Sequence, residues 1–537
     1  MHPDYKSWIS RWGTTEEALA AMRLQVAGFE NPVRTSVLLV LSDPDEMWIK
    51  ISVDSVLRQV YPNVELCVCT NGSQRAHVLK ILEGYADDER IKVRHLPGKH
   101  SQAEAYNVAL SMATGEFVAL LGPGDELAPD AAFRAADFLQ SVTADVIYTD
   151  EDQTDAAGRR SNPVFKPYWS PELLLSTPYA GRLCVIRRNV LESIGGYREG
   201  FEGAEEHDVL LRLSEKTDRI YHLPGVLYHR RKLPGPVRPE KDPVASLRAV
   251  EEALARRGED ATVQRDPLSG SFRVTRHLAG RLKVSVIVST LEGEPDASFL
   301  EELERKTSYP VHQLLVASGE EKSYPAAHNA SQLFPARAMN LAAGTADGEY
   351  LVFTTDRMRI LDPGWLPELL AQAQRPSVGA VGCKLLNPDG SLLHGGSRVD
   401  LSGLAGYPGE GASEASDGPL VVDQAFNCEA ASAECMMVRK AAFDMVGGFD
   451  EERLPTAFCD LDLCFRLQEE GLRNVYTPYA SLACARPDVL PSEGEIAYMW
   501  RRWWANLVRL LYYQRPSVHR LAPRAMDEDI LMTAISS

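Results

Sequence analysis

Carboxylates stand in short clusters along this chain, at Gly122-Pro-Gly-Asp-Glu-Leu127, Asp150-Glu-Asp152, Glu205-Glu-His-Asp208 and Cys459-Asp-Leu-Asp462. Grouped carboxylates can hold a divalent cation, and a single one can take a proton from an attacking hydroxyl. Taken alone, Glu205–Asp208 reads as the acidic first turn of a helix, favoured by the helix dipole, and Asp460-Leu-Asp462 also opens a helix. Asp150-Glu-Asp152 reads as an acidic surface turn, with cation binding as the alternative. Cys459 and Cys464 flank two aspartates, but no second Cys/His pair stands at zinc spacing, so no zinc centre is expected.

The elements that must position these residues come as two copies of one pattern. The first copy runs through Ser36-Val-Leu-Leu-Val-Leu41, Val64-Glu-Leu-Cys-Val-Cys69, Thr114-Gly-Glu-Phe117 and Ile194-Gly-Gly-Tyr197. The second repeats it in order with Val284-Ser-Val-Ile-Val288, His312-Gln-Leu-Leu-Val316, Asp347-Gly-Glu-Tyr350 and Val446-Gly-Gly-Phe449. Equivalent points lie roughly 250 residues apart, a domain-sized period. Continuous Val/Leu/Ile runs between helical segments predict strands buried on both faces, hence a parallel sheet covered by helices. Ligands of such sheets bind beyond the carboxyl ends of the strands, so the loops after Cys69, Leu121, Val316 and Phe353 are where chemistry is expected. The pattern divides the chain into a helical extension (1–33), a first α/β domain (34–235), a linker with a helix (236–281), a second α/β domain (282–490) and a helical C-terminal extension (491–537). Tyr5–Ala27 reads as helical, Pro234–Pro239 as a linker, and Pro243–Arg257 as a helix ending at Gly258.

Composition excludes several classes. Of 537 residues, 45% are hydrophobic and 25% charged, as in ordinary globular proteins. Fifty-seven basic against 75 acidic side chains give a net charge of −18, which argues against nucleic acid as a partner. No apolar run approaches the roughly 20 residues of a membrane-spanning helix, and Met1–Trp12 has no apolar signal core. The nine cysteines follow no disulfide spacing, and Cys67, Cys69, Cys184, Cys383 and Cys435 read as buried thiols. A cytoplasmic location follows from these features. Glu493–Arg515 sets tryptophans among arginines at helical spacing, which offers either peripheral docking on the inner face of an anionic membrane or a helix closing the second domain.

The order of these motifs, with Tyr148-Thr-Asp-Glu-Asp152, Phe165-Lys-Pro-Tyr-Trp-Ser-Pro171, Leu223-Pro-Gly-Val-Leu-Tyr-His229, Asp362-Pro-Gly-Trp365 and Leu463-Cys-Phe-Arg-Leu467, resembles the tandem glycosyltransferase family 2 proteins of bacterial surface-polysaccharide synthesis. The resemblance covers nearly the whole chain. It implies two tandem GT-A domains, nucleotide-diphospho-sugar transferase-like and Rossmann-like, within an α/β fold. The activity it implies is inverting transfer of a hexosyl or deoxyhexosyl group from a nucleotide-diphospho-sugar to a glycan or lipid-linked glycan hydroxyl. Other glycosyltransferases are implied as partners.

The same resemblance assigns roles. Glu206 and Asp460 stand at the position of the catalytic base, and Asp208, Asp462 and Trp169 lie on the acceptor side. Asn71 takes the place of a nucleotide-binding aspartate. Gly122 and Gly124 fall where the family's Asp-x-Asp metal motif is expected, and Asp125 follows one position later. Asp125 and His229 are the remaining candidates for a divalent cation, Mn2+ or Mg2+, in the first domain only. In the second domain Ala317 and Ser318 replace the nucleotide carboxylate, Arg357 replaces the metal carboxylate, and Cys484 replaces the late histidine. That domain would be metal-independent, with Arg357 and Arg359 meeting the diphosphate directly. Two readings of this erosion stay open: a working transferase, or a catalytically inactive glycosyltransferase-like protein that binds glycan or assembles with an active enzyme.

Overall fold

The structure is a computed structural model, and it describes residues 5–42, 46–72, 76–232, 243–267, 269–290, 294–318, 336–396, 423–484 and 491–514. The chain divides between Phe272 and Arg273 into two compact units. The linker Pro234–Pro239 lies outside the described residues.

In the first unit β1 (Thr35–Leu41), β2 (Val64–Asn71), β3 (Ile91–Leu96) and β4 (Phe117–Leu121) run parallel in the order β3-β2-β1-β4. Every residue of β1, β2 and β4 is buried, as their unbroken apolar runs require. Each fully covered Leu or Val contributes roughly 1.5–3 kcal/mol by leaving water. The sheet continues through β5 (Glu126–Leu127), β6 (Val146–Thr154), β7 (Arg160–Val164), β8 (Cys184–Arg187) and β9 (Ile220–Arg231), in the order β4-β8-β6-β9-β5 with β7 on β6. β8 is antiparallel to both β4 and β6, while β6 and β9 are parallel. The sheet is therefore mixed, where the sequence pattern predicted a parallel one. Continuous apolar runs report burial on two faces and carry no information about strand direction.

Two short strands, β10 (Ala261–Arg265) and β11 (Phe272–Arg276), follow in sequence. The second unit then contains β12 (Val284–Thr290), β13 (Gln313–Ser318), β14 (Tyr350–Thr355), β15 (Met358–Ile360), β16 (Val378–Leu386), β17 (Leu392–His394), β18 (Phe426–Cys428), β19 (Cys435–Arg439) and β20 (Arg473–Cys484). Its order β13-β12-β14-β19-β16-β20-β15 repeats β2-β1-β4-β8-β6-β9-β5 strand for strand. Both units are GT-A-like α/β folds with a mixed sheet.

The repeated motifs are repeated clamps. In Thr114-Gly-Glu-Phe117, Gly115 N donates to Ser36 Oγ at 2.9 Å, and a Cβ there would lie 2.7 Å from the same oxygen. Gly348 N and Ser285 Oγ do the same at 3.0 Å in the second unit. Gly196 has φ +69° and Gly448 φ +72°, each closed over by an asparagine from a neighbouring helix. Asn107 receives Tyr197 N at 3.0 Å and Asn340 receives Phe449 N at 2.9 Å. These glycines are needed for left-handed backbone and close approach together.

The ends of the chain depart from the sequence reading in one respect. Tyr5–Ala27 is two helices, Tyr5–Trp12 and Glu16–Gln25, followed by a 3-10 turn at Val26–Gly28. Gly13 is a poor helix former, and Thr15 starts the second helix by accepting from Ala18 N at 3.3 Å. Glu493–Gln514 is helical, but its apolar residues Met499, Trp503 and Leu507 are buried in the second unit's own core, with Trp500 packed against it. Part of this helix, through Met499, Trp503 and Leu507, therefore closes the second unit. No described helix is long and apolar enough to cross a membrane. All nine cysteines are free, and burial pushes the Cys67 and Cys69 thiols up to about 12 and about 11.

Candidate active site

The carboxyl ends of β2 and β4 carry the first two predicted site residues. Asn71 closes β2, but both ends of its amide are committed: it donates to His100 O at 3.0 Å and accepts from His100 N at 2.8 Å. It ties two loops together instead of presenting its amide to a base. After β4 the chain turns at Gly122–Asp125, closed by Asp125 N donating to Gly122 O at 3.1 Å, with Gly124 at φ +87°. The Asp125 carboxylate folds back into this turn. It accepts from Tyr228 Oη at 2.6 Å and from Arg231 N at 2.8 Å, and Tyr228 Oη in turn accepts from Gly122 N at 3.0 Å. Burial pushes the Asp125 carboxyl above the usual carboxylate range.

A Cβ on Gly122 would lie 2.4 Å from Asp125 Oδ2. The surviving carboxylate therefore fills the space of the side chain that the Asp-x-Asp motif would place there. His229, the other cation candidate, points Nδ1 at Asp152 Oδ1, 2.7 Å away. Among the described residues no three His, Cys, Asp or Glu side chains gather as a metal site. Asp125 does not fit the divalent cation expected there, because its two oxygens are taken by Tyr228 and the Arg231 amide, and His229, held through Nδ1 by Asp152, has no second free carboxylate beside it among the described residues.

Asp150-Glu-Asp152 is not a surface turn. The three carboxylates lie on β6, with 1%, 5% and 0% of their surface exposed. A strand points successive side chains to opposite faces, and here both faces supply partners. Asp150 accepts from His222 Nε2 at 2.8 Å and from Lys166 N at 2.8 Å. Glu151 accepts from Lys166 Nζ at 2.8 Å and Arg182 N at 2.9 Å, and Asp152 from Tyr5 Oη at 2.7 Å and Arg160 Nε at 2.5 Å. Burial works against all three charges, but these partners outweigh it and hold each carboxyl below the usual range. Phe165-Lys-Pro-Tyr-Trp belongs to this framework: Lys166 is 2% exposed, and the Trp169 ring packs near Tyr148 and Tyr179 at centroid distances of 6.2 and 6.3 Å.

Arg182 was not singled out by the sequence, and the fold brings it to the centre of the site. β8 pairs antiparallel with β4, Val185 opposite Ala119, so the residues just before β8 lie beside the carboxyl end of β4 and its turn. Arg182 sits between Gly181 at φ +61° and Leu183 at φ +53°. A left-handed leucine is strained, and such strain concentrates at functional positions. Its Nη1 donates to Glu206 Oε1 at 2.8 Å. Glu206, with Tyr228, Tyr106 and Asp125 around it, holds the guanidinium firmly protonated against the cost of burial.

Glu206 lies in the first turn of the helix Glu205–Leu213 and lines a small recess with Leu120, Gly181, Cys184 and Tyr197. One carboxylate oxygen faces Arg182, and the other has no partner among the described residues. Asp208, one turn on, is 1% exposed and ligated by Arg212 Nη2 at 2.6 Å and by Arg198. Arg212 then donates to the carbonyls of Ile194 and Gly196 at 2.8 and 2.7 Å. Asp208 thus anchors the Gly195-Gly196 turn through Arg212.

The second unit keeps the scaffold and closes the site. Asp462 copies Asp208, bound by Arg466 Nη2 at 2.7 Å and by Trp503 Nε1 at 2.8 Å. Asp460 is buried, and its two oxygens accept from Ala433 N at 3.0 Å and Leu461 N at 2.8 Å. Arg357 is exposed in the turn between β14 and β15, and Arg359 is exposed on β15. Among the described residues of this unit, no carboxylate at the position of Glu206 keeps an oxygen to spare.

A mixed sheet whose parallel strands end at a turn, a recess and a helix-borne carboxylate is a GT-A-like arrangement. Residues 45–195 match Glycosyl transferase family 2. The chain is 34% identical over 535 residues to the O-antigen biosynthesis protein RfbC of Myxococcus xanthus, an alignment covering 93% of this chain and 41% of that protein. It is 32% identical over 542 residues to the uncharacterized protein y4gI of Sinorhizobium fredii (strain NBRC 101917 / NGR234), covering 93% and 59%. The chain spans about half the length of these curated relatives. S. aureus TarS 1–349, solved in complex with UDP-GlcNAc, is similar at 20% identity and a TM-score of 0.36, covering 41% of this chain and 66% of that one. The first unit thus carries a glycosyl transferase family 2 domain over residues 45–195.

Proposed function

We propose that the first unit transfers a sugar from a nucleotide-diphospho-sugar to a hydroxyl of a glycan or lipid-linked glycan during polysaccharide synthesis, with Glu206 as the base. The reading is carried by one observation: Glu206 lines the recess at the strand ends with one carboxylate oxygen that has no partner among the described residues. In the step, that oxygen takes the proton of the acceptor hydroxyl as the hydroxyl oxygen attacks the anomeric carbon. The bond from that carbon to the diphosphate breaks, its electrons leave with the diphosphate, and the anomeric centre inverts. The name of the RfbC relative, an O-antigen biosynthesis protein, supports a polysaccharide acceptor.

For the second unit a different observation favours the inactive reading. Asp460 spends both oxygens on backbone amides. Here the glycan-binding or assembly role is the better one, including assembly with other glycosyltransferases. Incubating the chain with a panel of nucleotide sugars and glycan acceptors tests both statements. Glu206→Gln should lower turnover about 100- to 10,000-fold, the usual worth of a positioned base, while Asp460→Asn leaves it within about twofold. Turnover that survives Glu206→Gln and disappears with Asp460→Asn would move the activity to the second unit.

A further inference from the structure

We propose that Arg182 is a built-in replacement for the cation: its guanidinium binds the donor's diphosphate, so the first unit takes a nucleoside diphosphate without metal. The inference rests on the donor class proposed above and assigns the group that receives it.

Three observations converge on this residue. The first is position. The β4–β8 register sets Arg182 beside the turn at Gly122–Asp125, where the family's metal carboxylates are absent. That turn is shut by Asp125, Tyr228 and the Arg231 amide, so nothing in it reaches out for a cation. The second is spare bonding capacity. Arg182 uses Nη1 on Glu206, and its Nε and Nη2 have no partner among the described residues, while 26% of the side chain stays exposed. Nearby arginines are spent: Arg212 holds Asp208 and two carbonyls, and Arg231 holds Gly124 O, Asp155 O and Glu126. The third is backbone strain, with left-handed Gly181 and Leu183 flanking the arginine. The backbone is fixed there by Arg182 N donating to Glu151 Oε2.

A guanidinium suits this task because its planar fork presents parallel N–H donors to phosphate oxygens and keeps its charge at any working pH. Pairing with Glu206 also sets the distance between the base and the leaving group, since both are held by one side chain. As the sugar–oxygen bond breaks, negative charge grows on the diphosphate, and a fixed positive charge beside it lowers the barrier.

Calorimetric titration of the full chain with UDP, GDP, dTDP and inorganic pyrophosphate, in EDTA and in Mn2+, tests the proposal. At least one nucleoside diphosphate should bind in EDTA within about twofold of its affinity in Mn2+. Arg182→Gln should weaken that binding tenfold or more in EDTA, and Arg182→Lys should restore part of it. Thermal melts of both variants show whether the fold is kept. If Arg182→Gln does not fold, Arg182→Lys and the wild-type comparison of EDTA with Mn2+ decide the matter. Binding that requires Mn2+, or that is equal in Arg182→Gln, overturns the role of Arg182 and leaves the donor class standing. No binding of any nucleoside diphosphate or nucleotide sugar under either condition overturns the donor class itself.

Discussion

Glu206 and Asp460 occupy equivalent places in the two repeats and have opposite local chemistry. Among the described residues Glu206 keeps one oxygen unpartnered in a recess, whereas both oxygens of Asp460 accept from backbone amides. One extra methylene and a different neighbouring loop separate a candidate base from a structural acceptor. Gly122 makes a similar point about loss. Its small size is now required, because the Asp125 carboxylate lies where a Cβ would be. Gly122→Asp, which restores the family residue, should lower stability by about 1–3 kcal/mol through overpacking and create no Mn2+ dependence. A melting temperature at or above wild type, or Mn2+-stimulated binding in this variant, would show that the turn can reopen.

At the scale of elements, the parallel strands are joined by buried polar clamps. Glu65 on β2 is 0% exposed and accepts from Ser36 Oγ at 2.6 Å, Thr114 N at 2.6 Å and Lys92 Nζ at 2.8 Å. Gln313 on β13 makes the equivalent contacts to Ser285 Oγ and Asp347 N, both at 2.9 Å. Burial is the largest influence on the Glu65 carboxyl and raises it, but the bonds from Lys92, Ser36 and Thr114 together bring it down to about 2 from 4.5. A folded-state value below the unfolded one means stability that is complete above pH 4.5 and lost as pH falls toward 2. The shift corresponds to about 3 kcal/mol. Urea denaturation between neutral pH and pH 3 should show this acid limb, and Glu65→Gln, the second unit's own solution, should flatten it. An unchanged acid limb in the variant would assign acid sensitivity elsewhere, with Asp150, Glu151 and Asp152 the next candidates.

At the scale of the molecule, one strand order has been used twice. Each unit has its own sheet and its own buried clusters: Val37, Leu39 and Phe117 belong to one, and Val286, Val352 and Trp365 to another. Segments 1–272 and 273–537, expressed apart, should therefore each give a cooperative melt. Metal-free nucleoside diphosphate binding should stay with the first. Binding by the second segment, or a first segment that is unfolded, would refute this division of labour.

The repeat, the strand cores, the glycine clamps and the acidic helix starts were legible in the sequence, because they depend on local pattern: apolar runs, turn residues and order along the chain. Strand direction was not, since burial on two faces leaves it open. The roles of Asp150–Asp152, Asp208 and Asp462 were not legible either. A carboxylate reads the same in sequence whether it faces water or a buried lysine, arginine or indole, and only its partners in space, from 4 to 147 residues away along the chain, tell them apart. Arg182 shows the limit most clearly. Nothing in Gly-Arg-Leu marks it, and its place depends on β8 returning antiparallel beside β4. The sequence by itself determined a tandem α/β fold, and a resemblance to transferases in which glycines stand at the family's metal position. Which carboxylate remains exposed to act, and which cation faces it, only the tertiary structure decided, because desolvation and pairing are properties of neighbours in space.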